Sequence, residues 1–97
     1  MNAEPVRLRA MIVDDEPLAV ERMQIMCADQ PQLEIVGTAN DGATALRLIG
    51  ALAPDIVFLD IAMPELDGMA VARVLGASQP DGTLPPAIVF VTAFDSF

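Results

Sequence analysis

Asp14, Asp15 and Asp60 are acidic residues set where apolar runs end, and that placement is where chemistry can be read. Asp14 and Asp15 follow Leu8-Arg9-Ala10-Met11-Ile12-Val13, and Asp60 follows Ile56-Val57-Phe58-Leu59. Runs bounded this way read as strands buried on both faces, the pattern of a parallel sheet. Parallel strands point one way, so their last residues share an edge. Neighbouring strands would bring the three carboxylates together there, and such a cluster calls for a cation. A hard ion such as Mg2+ takes oxygen ligands in an octahedron and keeps several waters. Beside it, a carboxylate such as Asp60 can attack a phosphoryl group and form an acyl phosphate, with the cation offsetting charge on both partners. Thr92, at the end of a further apolar run, offers a hydroxyl to a phosphoryl oxygen.

Taken singly, each residue has a plainer role. Asp-Asp after a strand is turn and helix-cap chemistry, Asp60 alone a turn residue, and Thr92 alone a β-former. Their joint placement favours a site, because three separate runs end in oxygen-bearing side chains at one edge. Asp41 and Asp67 precede glycine and read as turn residues.

Composition narrows the chemistry. The 97 residues carry 14 acidic and 5 basic side chains, a net charge of −9, and all the basic ones are Arg. No phosphate-neutralising patch is available, so the chain itself is not expected to hold nucleic acid. With no His, imidazole catalysis and His-ligated zinc are excluded. Cys27 reads as a small core residue of a helix, and a single Cys suits a reducing, cytoplasmic setting. The polar start Met1-Asn2-Ala3-Glu4-Pro5 carries no cleavable signal, and no apolar run approaches the roughly 18 residues of a membrane span.

The elements that must position the acids follow from pattern. Strands are expected at 8–13, 33–39, 55–60 and 87–92, the second more alternating and so nearer an edge. Glu16-Pro17 opens a helix to about residue 30, with Ala19, Met23, Met26 and Gln30 at helical spacing. Asn40-Asp41-Gly42 is a turn and capping cluster. Beyond it Ala45, Leu46, Ile49, Leu52 and Ala53 form the apolar stripe of a second helix. Met63 to Gly68 is a loop launching a third helix to about residue 77, and Ser78 to Pro86 is the loosest stretch. The order β-α-β-α-β-α-β predicts a doubly wound α/β layer in one domain, residues 1–97. Ligands of such sheets sit beyond the carboxyl ends of the strands.

The chain resembles the receiver domain of two-component response regulators. The matching segments are Met11 to Leu18, Val57 to Gly68, and Ile88 to Ala93. Glu16-Pro17-Leu18-Ala19 and Thr92-Ala93-Phe94-Asp95 resemble the receivers that precede LytTR-type DNA-binding domains. The resemblance implies a flavodoxin-like sheet of strand order 2-1-3-4. It implies that Asp60 is the phosphoacceptor, charged by a sensor histidine kinase. Mg2+ would be held by Asp15 and Asp60, by Asp14 largely through water, and by the backbone carbonyl of Ala62. Thr92 would be the switch hydroxyl.

Set against that family, the chain ends after the fourth strand. The expectation is a truncated receiver lacking the fourth helix, fifth strand and fifth helix, and the lysine that binds phosphoryl oxygens. An open fourth strand is then expected to drive self-association. The competing function is a receiver-like interaction module without efficient phosphotransfer. An aspartyl-phosphate phosphatase of the haloacid dehalogenase type is disfavoured, since that family wants an Asp where Ala62 stands. A dinucleotide-binding domain is disfavoured too, because the turn after the first strand is acidic and not glycine-rich.

Overall fold

The structure, a computed structural model, describes residues 7–61, 68–77 and 85–91. In chain order the elements are β1 (Leu8–Val13), α1 (Pro17–Ala28), β2 (Leu33–Ala39) and α2 (Gly42–Leu52). They continue with β3 (Ile56–Asp60), α3 (Gly68–Ala77) and β4 (Ala87–Val91). The four strands form one parallel sheet in the order β2-β1-β3-β4, the order that the family resemblance implies. Thr92, Ala62 and the 62–67 loop lie outside the described residues, as does 78–84 of the loose stretch.

β1 and β3 are central, and their apolar runs are buried accordingly. Met11, Ile12, Val13, Val57 and Leu59 have almost no exposed surface. Burying each such side chain stabilises the fold by roughly 1.5–3 kcal/mol. One face of the sheet packs Met11, Val13, Val57 and Leu59 against Ala45 and Ile49 of α2 and Val71 and Leu75 of α3. α1 packs against β1 and β2. A helix layer on each face is what lets the stretches Ala10–Val13 and Ile56–Leu59 of the central strands be wholly apolar.

β2 carries a bulge. Ala10 pairs with Ile35, but Met11 pairs with Gly37, so Val36 is the extra residue. Val36 packs onto the α2-side core. Gly37 shares the sheet face of Met11, its partner in register, so two successive β2 residues crowd the α2 side. A Cβ on Gly37 would stand 2.9 Å from Leu52 Cδ1, so the Leu52 side chain would have to shift to admit it.

Two expectations are corrected. α1 ends at Ala28 instead of near residue 30, and its buried residue is Cys27. Met26, one of the residues read at helical spacing, is 61% exposed, and Gln30 lies beyond the helix at an exposed position. α1 is apolar on several sides, so periodicity alone could not choose its inner face. Ala53 does not continue the α2 stripe. It is the exposed C-cap in the left-handed region, at φ 48°, closed by its N–H on Ile49 O at 2.9 Å.

The amino ends of the strands are tied together by one residue pair. Arg9 N–H donates to Asp55 Oδ2 at 2.8 Å, and Asp55 N–H donates back to Arg9 O at 2.7 Å. Ala87 N–H donates to Asp55 O at 2.9 Å, which adds β4. Arg9 Nη1 also donates to Leu52 O at 2.7 Å and Ala53 O at 2.9 Å. The guanidinium thus satisfies carbonyls that the end of α2 leaves open.

Candidate metal and phosphoacceptor site

The carboxyl edge is built by register. Val13 pairs with Leu59, so one residue further on Asp14 and Asp60 stand level on adjacent strands. Asp14 N–H still donates to Ala39 O at 3.0 Å, holding the strand end against β2. On the other side Ile61 N–H reaches Val91 O at 3.4 Å. The chain then turns at Asp15-Glu16 into α1, where Glu16 is an N-cap without a side-chain cap bond and Pro17 begins the helix. In place of a cap, Asp14 Oδ1 accepts the Glu16 N–H at 2.9 Å, which fixes the aspartate's rotamer.

These constraints bring the acids together. One carboxylate oxygen each from Asp14, Asp15 and Asp60 lies within 4.8 Å of the others. Asp14 and Asp60 are each only 9% exposed, and Asp15 lies nearer solvent. At such spacing each ionised pair repels by about 3–4 kcal/mol at an effective dielectric near 20. A cation among them turns that cost into attraction. The spacing fits Mg2+, whose oxygen ligands at about 2.1 Å stand about 3–4 Å from one another across the octahedron. Hard carboxylate donors without nitrogen or sulfur suit that ion better than zinc.

Asp41, read from the sequence as a turn residue, is the N-cap of α2. Its Oδ1 accepts Thr44 N–H at 2.7 Å and its Oδ2 the Thr44 hydroxyl at 3.1 Å. The Thr44 amide first, then its hydroxyl and the Arg47 charge, hold the Asp41 carboxyl below its usual range. Its two oxygens are engaged by the cap, so it is not a member of the aspartate cluster. Burial pushes the Cys27 thiol up, which makes it an inert core residue as expected. Sequence reasoning found the three acids but not the Glu16 amide that orients Asp14. The Asp-Asp-Glu-Pro order was the available signal, since an Asp two residues before a helix start can take that amide.

A parallel β2-β1-β3-β4 sheet with an acidic trio beyond β1 and β3 defines a class of doubly wound domains that work at their carboxyl edge. The family model described as "Response regulator receiver domain" matches residues 10–96, and the chain belongs to that family. Among curated relatives it is 40% identical over 90 residues to the transcriptional regulatory protein BtsR of Salmonella typhi, covering 93% of this chain and 36% of the relative. It is 45% identical over 89 residues to a response regulatory protein of Vibrio cholerae, covering 91% of this chain and 33% of that protein. The chain therefore spans about a third of the length of the curated relatives it matches. Among solved structures, the receiver domain of the response regulator NarL from Mycobacterium tuberculosis superposes with a TM-score of 0.83 at 35% identity. That match covers 95% of this chain and 71% of the other. The response regulatory domain of mrkE from Klebsiella pneumoniae gives 0.76 at 34% identity, with 91% and 69% covered.

Proposed function

We propose that Asp60 accepts a phosphoryl group from a phosphohistidine on a sensor histidine kinase, in a reaction that requires Mg2+. Three carboxylates converging within 4.8 Å at the receiver's carboxyl edge carry this reading. Asp14, Asp15, Asp60 and the Ala62 carbonyl would hold the ion, which when bound offsets charge on the phosphoryl oxygens. An Asp60 oxygen bonds to phosphorus as the phosphorus–nitrogen bond breaks, and the electron pair returns to the donor imidazole. Hydrolysis of the acyl phosphate by water restores Asp60. Thr92 would supply the switch hydroxyl to the phosphorylated form. The segments Glu16-Pro17-Leu18-Ala19 and Thr92-Ala93-Phe94-Asp95 support a LytTR-type setting, with a DNA-binding output in a longer protein. Among the described residues no helix is long and apolar enough to cross a membrane, and the reading places phosphotransfer in the cytoplasm.

Incubation with Mg2+ and acetyl phosphate tests the assignment. Intact mass is expected to show one added phosphoryl group, lost in Asp60→Asn and on chelation of the metal. An adduct that persists in Asp60→Asn overturns it.

A second reading is an interaction module without efficient phosphotransfer. Thermal stabilisation by Mg2+ with no adduct would select it. Under either reading β4 is a candidate surface for a second copy. Among the described residues it ends the sheet order, carries no charge or proline, and leaves Val89 39% and Phe90 40% exposed. Sedimentation velocity is expected to show association that grows with concentration and falls when Val89 is replaced by Lys; a concentration-independent monomer removes the idea.

A further inference from the structure

Beside the aspartate cluster the carboxyl edge holds a second concavity. A cleft of about 330 Å3 opens between the start of α1, the end of β2 and the start of α2. Pro17, Val20 and Ala39 form its apolar wall. Its polar groups are Asp14, Thr38, Asn40 and Thr44. Of the three clustered aspartates, Asp14 is the one that lines it.

The charge of that lining is one-sided, since Asp14 is the charged side chain among the lining residues. The Thr44 hydroxyl proton goes to Asp41, which leaves the oxygen's lone pairs as acceptors. Asp14 is 9% exposed, and Glu16 N–H engages only its Oδ1. The Thr38 hydroxyl and the Asn40 side-chain amide can each accept as well as donate, and among the described residues no Arg lines the cleft. An anion is a poor occupant despite the nearby helix start. Asp41 already caps α2 with its own negative charge, and the chain as a whole carries −9. What the lining asks for is a donor with positive charge and an apolar stem. The volume lies at the low end of ligand pockets, roughly 300–1,000 Å3, and suits a group of side-chain size.

We propose that this cleft binds a guanidinium or primary ammonium carried on a short aliphatic stem. The stem lies against Pro17 and Val20, and the cation sits among the oxygens of Asp14, Thr38, Asn40 and Thr44. Such a group comes from a basic side chain of a docking protein or from a free small amine. Because Asp14 also belongs to the aspartate cluster, cleft and cluster would share one carboxylate.

The test is a titration of the 15N-labelled chain with n-propylguanidinium chloride at constant ionic strength and saturating Mg2+. Saturable amide shifts are expected at Val20, Thr38 and Thr44. Val20→Phe fills the cleft and is expected to weaken binding at least tenfold, while its Mg2+-induced rise in melting temperature shows that the variant is folded. Asn40→Ala, a change at an exposed side chain, is expected to weaken binding severalfold without perturbing the fold. A short neutral peptide with one Arg separates the sources: binding as tight as the free cation assigns a partner's side chain, and weaker binding a free amine. Shifts that stay linear, spread evenly over the acidic surface, or persist unchanged in both variants overturn the proposal.

Discussion

The two edges of the sheet handle charge in opposite ways. At the amino edge, Arg9 donates to the last carbonyls of α2 while its backbone pairs with Asp55, so the charged groups there find partners within the chain. At the carboxyl edge, Asp14, Asp15 and Asp60 crowd together like-charged. One edge joins a positive charge to open carbonyls; the other gathers like charges where we propose that a cation binds. A fold can carry that repulsion because the opposite edge and the apolar layers between them do not depend on it. The tie at the amino edge therefore serves stability, and the cluster is where we propose that function lies.

The largest expected effect is at the cluster. Mg2+ at a hundred times its dissociation constant should stabilise the protein by about 2.7 kcal/mol, and Asp15→Ala is expected to erase the corresponding rise in melting temperature. Without metal the variant should melt no lower than the parent, since one repulsive partner is gone. Scanning fluorimetry with an extrinsic dye reads both, and a retained metal response would break the contrast between the edges.

Next is the amino edge. Arg9→Ala removes two hydrogen bonds from a charged donor and leaves the α2 carbonyls to water, at a cost of about 2–3 kcal/mol in urea unfolding. The Mg2+ increment should be unchanged. A smaller increment would show that the two edges are coupled.

The smallest effect is at the other end of α2. Asp41 has a depressed folded pKa, so its ionised form favours the folded state. That contribution is full above the unfolded value of about 3.9 and is lost as pH falls through the folded value. Asp41→Asn keeps a cap but does not titrate. Its melting temperature is expected to fall less than the parent's between about pH 5 and pH 2, and parallel curves would remove Asp41 from the acid response.

Much of this was legible because it is local. The apolar runs Ala10–Val13 in β1 and Ile56–Leu59 in β3 are a direct consequence of burial on both faces, and the Asp after each marks where the apolar run stops. The alternation of β2 announced an edge strand. The i, i+3, i+4 stripe from Ala45 to Leu52 gave the inner face of α2. The rest depends on tertiary choices. Leu18, Ile25 and Met26 are as apolar as the buried Cys27, yet all three are more than 60% exposed, so α1's inner face is set by how it docks. The Arg9–Asp55 tie spans 46 residues, and no local pattern encodes it. The cleft beside Asp14 exists only once three segments meet.

The bulge at Val36 has a consequence for reading related sequences. Leu33 and Ile35 align with the sheet face of Ala10, while Gly37 and Ala39 align with that of Met11 and Val13. β2 thus changes sides midway, as a zipper does after a skipped tooth. A relative without the extra residue would need its odd and even positions exchanged downstream. An alignment gap placed anywhere else in that strand would match side chains that point in opposite directions.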